Sequence, residues 1–598
     1  MININYQKRK NTELFKSLEE PKSLFLSETQ NYIPIYTKFF TLNETNYNSI
    51  NMNNKWHISC IKQNEEDDNT SLLYDCKVKN NTNNKAKDKE VFFKLAPLLD
   101  PYKFLVGKYD IDDPKLFSLP KLSSTENDCH SKFIDVNNSA YVDGLFLYFT
   151  SSLLHSHNFI HGIDYYGSFL AIKNDFKLNV FDDIDYLNES EYFNKNKNVL
   201  FKIDEYEHLF QNENQKLQPI IIDHNISAKS QLSIKSFDNE IFEDIFNENT
   251  INLKDLSTDL IDLTNINFLD NKEINNNVTL KSNSTCSSRS SHTNDDDEVE
   301  EPCDNCCETE NLENKNIEEC EENNNIDDNE EWEDDDDTDD TFEEEIINVT
   351  IPKFPVQVIG MEYCENTFDD LILNNDLKPD EWHSAFMQII MILITYQKAF
   401  SLTHNDLHTN NVMYNNTDKK FLFYCYKKKY YKVPTFGRIF KIIDFGRSIY
   451  KFDGKLFCSD SFQPGSDAAT QYNTEPYLNE KKPRLEPNFS FDLCRLACSI
   501  FDYVIDDFEE IKEVNKCKDP IKRLITEWCL DDKGINMLYK GNGVDRYPDF
   551  KLYKMIARCV HNHTPQAQLE RPEFNKYINL KGDNSGDCMN IDNIPSYI

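Results

Sequence analysis

Two short motifs near residue 400 constrain the fold of this chain more than any other feature. The first spaces His404, Asp406 and Asn411 as H-x-D-x-x-x-x-N, and the second is Asp444-Phe445-Gly446 at the end of an apolar stretch. Asp406 can orient a hydroxyl and accept its proton, while the oxygens of Asn411 and Asp444 are ligands that Mg²⁺ accepts. The ordered pair therefore predicts a site where a base and a divalent cation lie together.

The sequence around the two motifs predicts the helix and strands that flank them. Apolar residues at helical spacing predict a helix from Asp380 to Phe400, and apolar stretches predict strands at 411–414 and 438–443. This succession resembles the C-lobe of the eukaryotic-type protein kinase superfamily, in a divergent form. The stretch Asp406-Leu407-His408 is similar to haspin-type kinases. The resemblance implies an α+β, bilobal fold with an antiparallel N-lobe sheet and a mainly helical C-lobe.

The same resemblance implies roles for particular residues. Asp406 is then the catalytic base, and Asn411 and Asp444 hold Mg²⁺ against the phosphates of ATP. Lys94, at the end of a predicted strand, contacts the α- and β-phosphates. Taken alone, Lys94 is as readily interpreted as an ordinary surface lysine.

The end of the predicted N-lobe resembles a kinase hinge. Met361 is then the gatekeeper behind the adenine pocket, and the Glu362 carbonyl and the Cys364 amide are the contacts of adenine. The alternative is the end of a buried strand without a chemical role. Further on, Asp492 matches the acid that binds the backbone of the catalytic loop.

The chain also departs from the family. The hairpin tip at 63–70 contains no glycine, although glycines there normally let backbone amides approach phosphate. Asp143 is the nearest helical acid that could pair with Lys94, but an exposed or first-turn acid is the interpretation that its position favours. Asn405 replaces the arginine that receives an activation-segment phosphate, and His408 replaces a lysine.

Charge defines a long insertion. The formal charge of the 598 residues is −40, and 28 acids with one lysine lie between Asp295 and Glu345. Such a run cannot bury apolar surface, which predicts disorder. The predicted organisation is an N-terminal extension (1–54), the first part of the N-lobe (55–178), an insertion (179–350, acidic and disordered at 271–346), the end of the N-lobe with the hinge (351–364), the C-lobe (365–582) and a tail (583–598).

Composition limits the partners. The negative charge disfavours direct nucleic-acid binding, and no apolar run is long enough to cross a membrane. The acidic insertion is either a solvated tether or a site for a basic partner. Scattered cysteines and no signal peptide predict a protein that is not secreted. Cys303, Cys306 and Cys307 form half of a zinc clip at most. Similarity to kinases of giant DNA viruses implies the cytoplasm or nucleus of a host cell, or the virion.

The predicted function is ATP-dependent transfer of the γ-phosphate to Ser or Thr hydroxyls of a protein substrate. ATP and Mg²⁺ are the expected cofactors. Two alternatives stay open. One is a pseudokinase that serves as a binding or scaffold module, and the other is an atypical small-molecule kinase.

Overall fold

The computed structural model describes residues 2–62, 72–206, 347–505, 507–541, 543–548, 550–579 and 587–598. The glycine-free hairpin tip, the stretch predicted to be disordered and the cysteines of the half zinc clip lie outside these ranges. The elements below belong to one compact unit, and the described residues 205 and 206 belong to a second one.

The described elements include both strands and helices, which confirms a mixed α+β architecture. The strands are β1 Tyr6–Lys8, β2 Leu26–Gln30, β3 Ile50–Met52, β4 Trp56–Ile61, β5 Leu73–Asn80, β6 Ala86–Pro97, β7 Tyr165–Asn179, β8 Lys202–Ile203, β9 Asn348–Glu362, β10 Asn366–Thr367, β11 Val412–Asn416, β12 Phe421–Tyr426, β13 Lys429–Pro434, β14 Arg438–Ile442, β15 Ile449–Phe452, β16 Lys455–Cys458 and β17 Met589–Asn590. The helices are α1 Thr12–Glu19, α2 Pro101–Leu105, α3 Ser131–Ile134, α4 Ser139–His157, α5 Ile184–Glu189, α6 Glu191–Asn196, α7 Phe368–Leu373, α8 Pro379–Phe400, α9 Phe491–Val504, α10 Pro520–Trp528, α11 Lys551–Cys559, α12 Pro565–Gln568 and α13 Pro572–Asn575.

The largest sheet is antiparallel and has the order β2-β7-β9-β6-β5-β4, with β8 also paired to β9. The predicted hairpin of β4 and β5 and the strand that carries Lys94 are present. That strand is longer than predicted, so Lys94 lies inside β6, opposite Ile359 of β9, and not at its end. Strand β9 begins at Asn348, ahead of the predicted boundary at 351.

Helix α1 of the N-terminal segment packs on one face of this sheet. Helix α1 buries Leu14, Phe15 and Leu18, and the Phe15 ring meets the Phe169 ring of β7 edge-on at 5.4 Å. Apolar residues at i, i+1 and i+4 give this short helix one apolar side, so it is stabilised by packing on the sheet and not by propensity alone.

Helix α4 packs on the opposite face, which is the face that carries Lys94. Its first turn is capped by Asn138, whose side chain accepts a hydrogen bond from the Ala140 amide. A Cβ on Gly144 would lie 2.2 Å from the side-chain nitrogen of Gln357 in β9. The missing side chain therefore lets α4 approach the sheet closely.

The second half of the chain is mainly helical around α8. Almost every residue of α8 is buried, which goes beyond the one apolar face that the spacing predicts, and the fully buried Trp528 of α10 packs on its Phe386. A hairpin of β12 and β13 lies between the two motifs, and its basic turn contacts an acid. The amides of Lys427 and Lys428 both donate to the Asp592 carboxylate at 2.8 Å. None of the described helices is both long and apolar enough to cross a membrane.

Candidate active site

Lys94 is the centre of an ion cluster between the sheet and the two motifs. Its Nζ lies 2.7 Å from Asp143 Oδ2 and 2.9 Å from Asp444 Oδ1. Burial lowers the pKa of Lys94, but the carboxylates of Asp143 and Asp444 outweigh this effect and raise it above its ordinary value. Lys94 is therefore a charged group held in one position. The interpretation of Lys94 as an ordinary surface lysine is wrong.

Asp143 is also not the exposed or first-turn acid that its sequence position favoured. Its side chain is 2% exposed and lies in the second turn of α4. Its Oδ1 accepts a hydrogen bond from the Phe445 amide at 2.8 Å. Because burial raises the pKa of Asp143, the Lys94 charge is what stabilises its carboxylate. Asp143 thus connects α4, the sheet and the second motif.

Asp406 is a buried carboxylate held by two side chains. Tyr553 of α11 donates its hydroxyl to Asp406 Oδ1 at 2.8 Å, and Arg447 Nε lies 3.8 Å from Oδ2. Burial alone would raise the pKa of Asp406. The positive charge of Arg447 and further neighbours overcomes burial and lowers this pKa to about 2. Asp406 is therefore ionised at neutral pH and can accept a hydrogen bond.

The backbone of the first motif is fixed by Asp492, as the sequence predicted. The two carboxylate oxygens of Asp492 accept from the amides of His404 and Asn405 at 3.0 and 2.9 Å. The His404 ring packs 5.3 Å from the Phe445 ring, so the two motifs are in direct contact. Asn405 accepts a hydrogen bond from the Tyr472 hydroxyl. An uncharged pair therefore stands where the resemblance to kinases implies an arginine.

The uncharged side chains of Asn411 and His408 contact each other, and Asn411 also bonds the backbone of Asp406. Asn411 Nδ2 donates to the Asp406 carbonyl at 2.9 Å and lies 3.0 Å from His408 Nε2. Since a carbonyl only accepts, this contact identifies Nδ2 and leaves Oδ1 as the atom able to ligate a metal. Burial lowers the pKa of His408 to about 4, so the ring is uncharged at neutral pH.

Asp444 is the second residue, after Asn411, with a side-chain oxygen able to ligate a cation. It adopts φ +61°, a left-handed conformation that non-glycine residues rarely take and that concentrates at functional sites. Its side chain is 48% exposed, unlike that of Asp143. Mg²⁺ is commonly held by one or two carboxylates together with substrate phosphates and waters, which the Asp444 carboxylate and the Asn411 amide oxygen fit. The described residues contain no cluster of three or more His, Cys, Asp or Glu suited to a metal.

A cavity of about 330 Å³ brings several of these groups together. Lys94, Asp143, Asp406, Asp444 and Arg447 are all among its lining residues. Asn411 is not among them and reaches the site through its bond to the Asp406 backbone. Three of the residues predicted for the site, Lys94, Asp406 and Asp444, thus share one cavity.

The predicted hinge residues lie at the end of β9, where Met361 and Glu362 are its last two residues and Cys364 follows it. Met361 is buried and lies opposite Phe92, which is on the same face of β6 as Lys94. The Glu362 carboxylate is used structurally, because it pairs with the buried Lys441 at 2.8 Å. Cys364 is buried, and burial raises the pKa of its thiol to about 12. The roles of the Glu362 carbonyl and the Cys364 amide in binding adenine stay predictions.

Sequence reasoning missed Asp460, which joins the segment after the second motif to helix α4. Its carboxylate is 3% exposed, accepts from the Ser139 amide at 2.9 Å and pairs with Lys132 at 3.0 Å. Ser139 is the first residue of α4, where a negative charge is favourable. Asp460 therefore holds the N-terminus of the helix that carries Asp143. It lies 16 residues after Asp444, just beyond the end of β16, and nothing in the neighbouring sequence indicates this contact.

We expect Asp460→Asn to lower the unfolding free energy by about 1–3 kcal/mol, because a hydrogen bond to a buried charged group becomes neutral. Denaturant unfolding of the full chain measures this change. Asp453→Asn is the matched control, because Asp453 also pairs with a lysine, Lys455, but is 74% exposed. Its expected effect is below about 1 kcal/mol. Equal effects of the two changes would contradict a structural role for Asp460.

Neither a scan against models of protein families nor a search of curated proteins finds a match to this chain.

Proposed function

We propose that this chain is a bilobal protein kinase that transfers the γ-phosphate of ATP to Ser or Thr hydroxyls of a protein substrate. The observation that carries the proposal is the Lys94 cluster with Asp143 and Asp444, in one cavity with the ionised Asp406. This set combines a fixed cation for phosphates, an acid for a divalent cation and a base for a hydroxyl, which phosphoryl transfer requires. In this proposal the large sheet with α4 is the N-lobe, and the helical part around α8 is the C-lobe.

Each residue has one task in the proposal. Lys94 holds the ATP phosphates, and Asp406 orients the acceptor hydroxyl and takes its proton. Asn411 Oδ1 and Asp444 would hold Mg²⁺, which would supply positive charge to the phosphates. Adenine packs against Phe92 and Met361, which lie opposite each other on neighbouring strands.

Transfer of labelled γ-phosphate from ATP to casein or mixed histones tests the proposal directly. We expect label on Ser or Thr in the presence of Mg²⁺. Asp444→Asn should lower the rate by about 10²-fold or more, because metal charge stabilisation contributes several kcal/mol. The exposed Asp418→Asn, in the turn between β11 and β12, should leave the rate unchanged.

Two results would contradict the proposal. Binding of ATP without transfer to any protein or to the chain itself would favour a scaffold module. Transfer to small molecules of a cell extract, with none to proteins, would favour a small-molecule kinase.

A further inference from the structure

We propose that Arg447 is an additional catalytic residue, whose guanidinium neutralises negative charge on the phosphoryl group during its transfer. The inference rests on the proposed function and deepens it, because it assigns the cation beside Asp406. Arg447 follows directly after Asp444-Phe445-Gly446, and the motif itself gives it no role.

The position of Arg447 carries the inference. The residue lines the same cavity as Lys94, Asp406 and Asp444, and its Nε lies 3.8 Å from Asp406 Oδ2. An acceptor hydroxyl bound to Asp406 therefore lies close to this guanidinium. The phosphoryl group must approach that hydroxyl, so it also comes close to the Arg447 guanidinium.

Arg447 is also held in place before any substrate binds. Its Nη2 pairs with Asp467, and its guanidinium carbon lies 5.6 Å from the centre of the Phe550 ring and 5.9 Å from that of Tyr553. The side chain is only 15% exposed. A donor fixed in advance stabilises developing charge without reorganisation, which makes its contribution large. The planar guanidinium can also bond two phosphoryl oxygens at once.

The other basic groups that line the cavity have partners of their own, and Arg495, whose charge also lowers the pKa of Asp406, is not among the lining residues. Among the described residues that line the cavity, Lys94 pairs with Asp143 and Asp444, Lys132 pairs with Asp460, and Lys103 donates to the Gly465 carbonyl. His408 is next to Asp406 in the catalytic loop, but it accepts from Asn411 and is uncharged. Arg447 is thus the cation of this lining that faces the base.

The transfer needs no reactant other than ATP and the acceptor hydroxyl. The oxygen of the acceptor hydroxyl forms a bond to the γ-phosphorus of ATP. The bond from that phosphorus to the bridging oxygen breaks, and its electron pair leaves on ADP. The hydroxyl proton passes to Asp406. Negative charge spreads over the equatorial oxygens of the phosphoryl group during this step. The Arg447 guanidinium neutralises the charge on these oxygens.

Arg447→Ala in the full chain, with added guanidinium ion, tests the inference. The acceptor is whichever of casein, mixed histones and the chain itself the wild type labels fastest. We expect kcat to fall by about 10²- to 10³-fold, as for the loss of one donor to a charged transition state. The KM for ATP should change far less, because the contact forms during transfer. Millimolar guanidinium chloride should restore part of kcat in a saturable manner, and equimolar sodium chloride should not.

Arg438→Ala is the matched control, because Arg438 pairs with Glu381 at 3.1 Å and is similarly buried, at 19% exposed. Its kcat should stay at the wild-type value. Arg447→Lys retains a charge on the same backbone position and should keep more activity than Arg447→Ala. The inference is overturned by a wild-type kcat in Arg447→Ala, or by a loss that guanidinium does not restore in a variant that melts like the wild type. If the wild-type chain itself transfers no phosphate, the proposed function fails instead.

Discussion

Asp406→Asn is expected to lower the rate of phosphate transfer by about 10²- to 10⁴-fold, which is the usual contribution of a general base. The amide keeps the size of the side chain and an oxygen that can accept from Tyr553, so the fold should be retained. It cannot take a proton from the acceptor hydroxyl. ATP binding should stay unchanged, because Lys94 and Asp444 are intact. Initial rates with labelled ATP and equilibrium binding of ATP measure the two effects separately.

The chain offers a closely matched control for this change. Asp502 of α9 accepts a hydrogen bond from the Tyr539 hydroxyl at 2.8 Å, which is the same contact that Asp406 makes with Tyr553. Asp502 is not among the residues that line the cavity. Asp502→Asn should therefore leave transfer unchanged. A transfer rate in Asp406→Asn equal to that of this control would show that Asp406 is not the base.

Lys94→Met is expected to have the largest effect on stability. Removing one partner of a buried ion pair costs about 3–5 kcal/mol, because the other charge is left without compensation.

The loss of stability in Lys94→Met should depend on pH. Without Lys94, the folded-state pKa of Asp143 rises further above its unfolded value, so its protonated form is favoured in the folded protein. Such a group stabilises the fold at low pH, and this contribution is lost as pH rises through the folded pKa. The deficit should therefore be larger at pH 8 than at pH 5.

Denaturant unfolding of wild type and Lys94→Met at both pH values measures this dependence. Lys62→Met is the control, because Lys62 pairs with Asp88 at 3.1 Å with both side chains about half exposed. Its expected effect is below about 1 kcal/mol at either pH. A deficit in Lys94→Met that is the same at pH 5 and pH 8 would mean that Asp143 does not titrate as described.

The sequence predicted the regular elements well where their patterns are local. The helix from Asp380 to Phe400 and the strand from Arg438 were found to within one residue, because long apolar stretches at one period are unambiguous. The cavity contains Asp406 and Asp444, which were chosen from motif order, and Lys94, which was chosen from its place at the end of a predicted strand. Motifs fix Asp406 and Asp444 because their spacing in a short loop or strand determines where they lie.

The partner of Lys94 could not be assigned with the same certainty. The sequence offered Asp143 only as the nearest helical acid, and its position favoured an exposed or first-turn acid. The close approach of α4 to β9 at Gly144 is a property of packing between distant segments. Asp460 and Tyr553 were missed for a related reason. Each contacts its partner across more than 100 residues of chain, with no pattern in the sequence that links the two.

Calorimetric titration of the full chain with ATP, with and without Mg²⁺, tests the central claim most directly. That claim is that Lys94, Asp143 and Asp444 form a site for a nucleotide with its metal. The account predicts one ATP bound per chain in the presence of Mg²⁺, with affinity strongly reduced by Lys94→Met and by removal of the metal. Absence of binding by the folded wild-type chain in the presence of Mg²⁺ would contradict it.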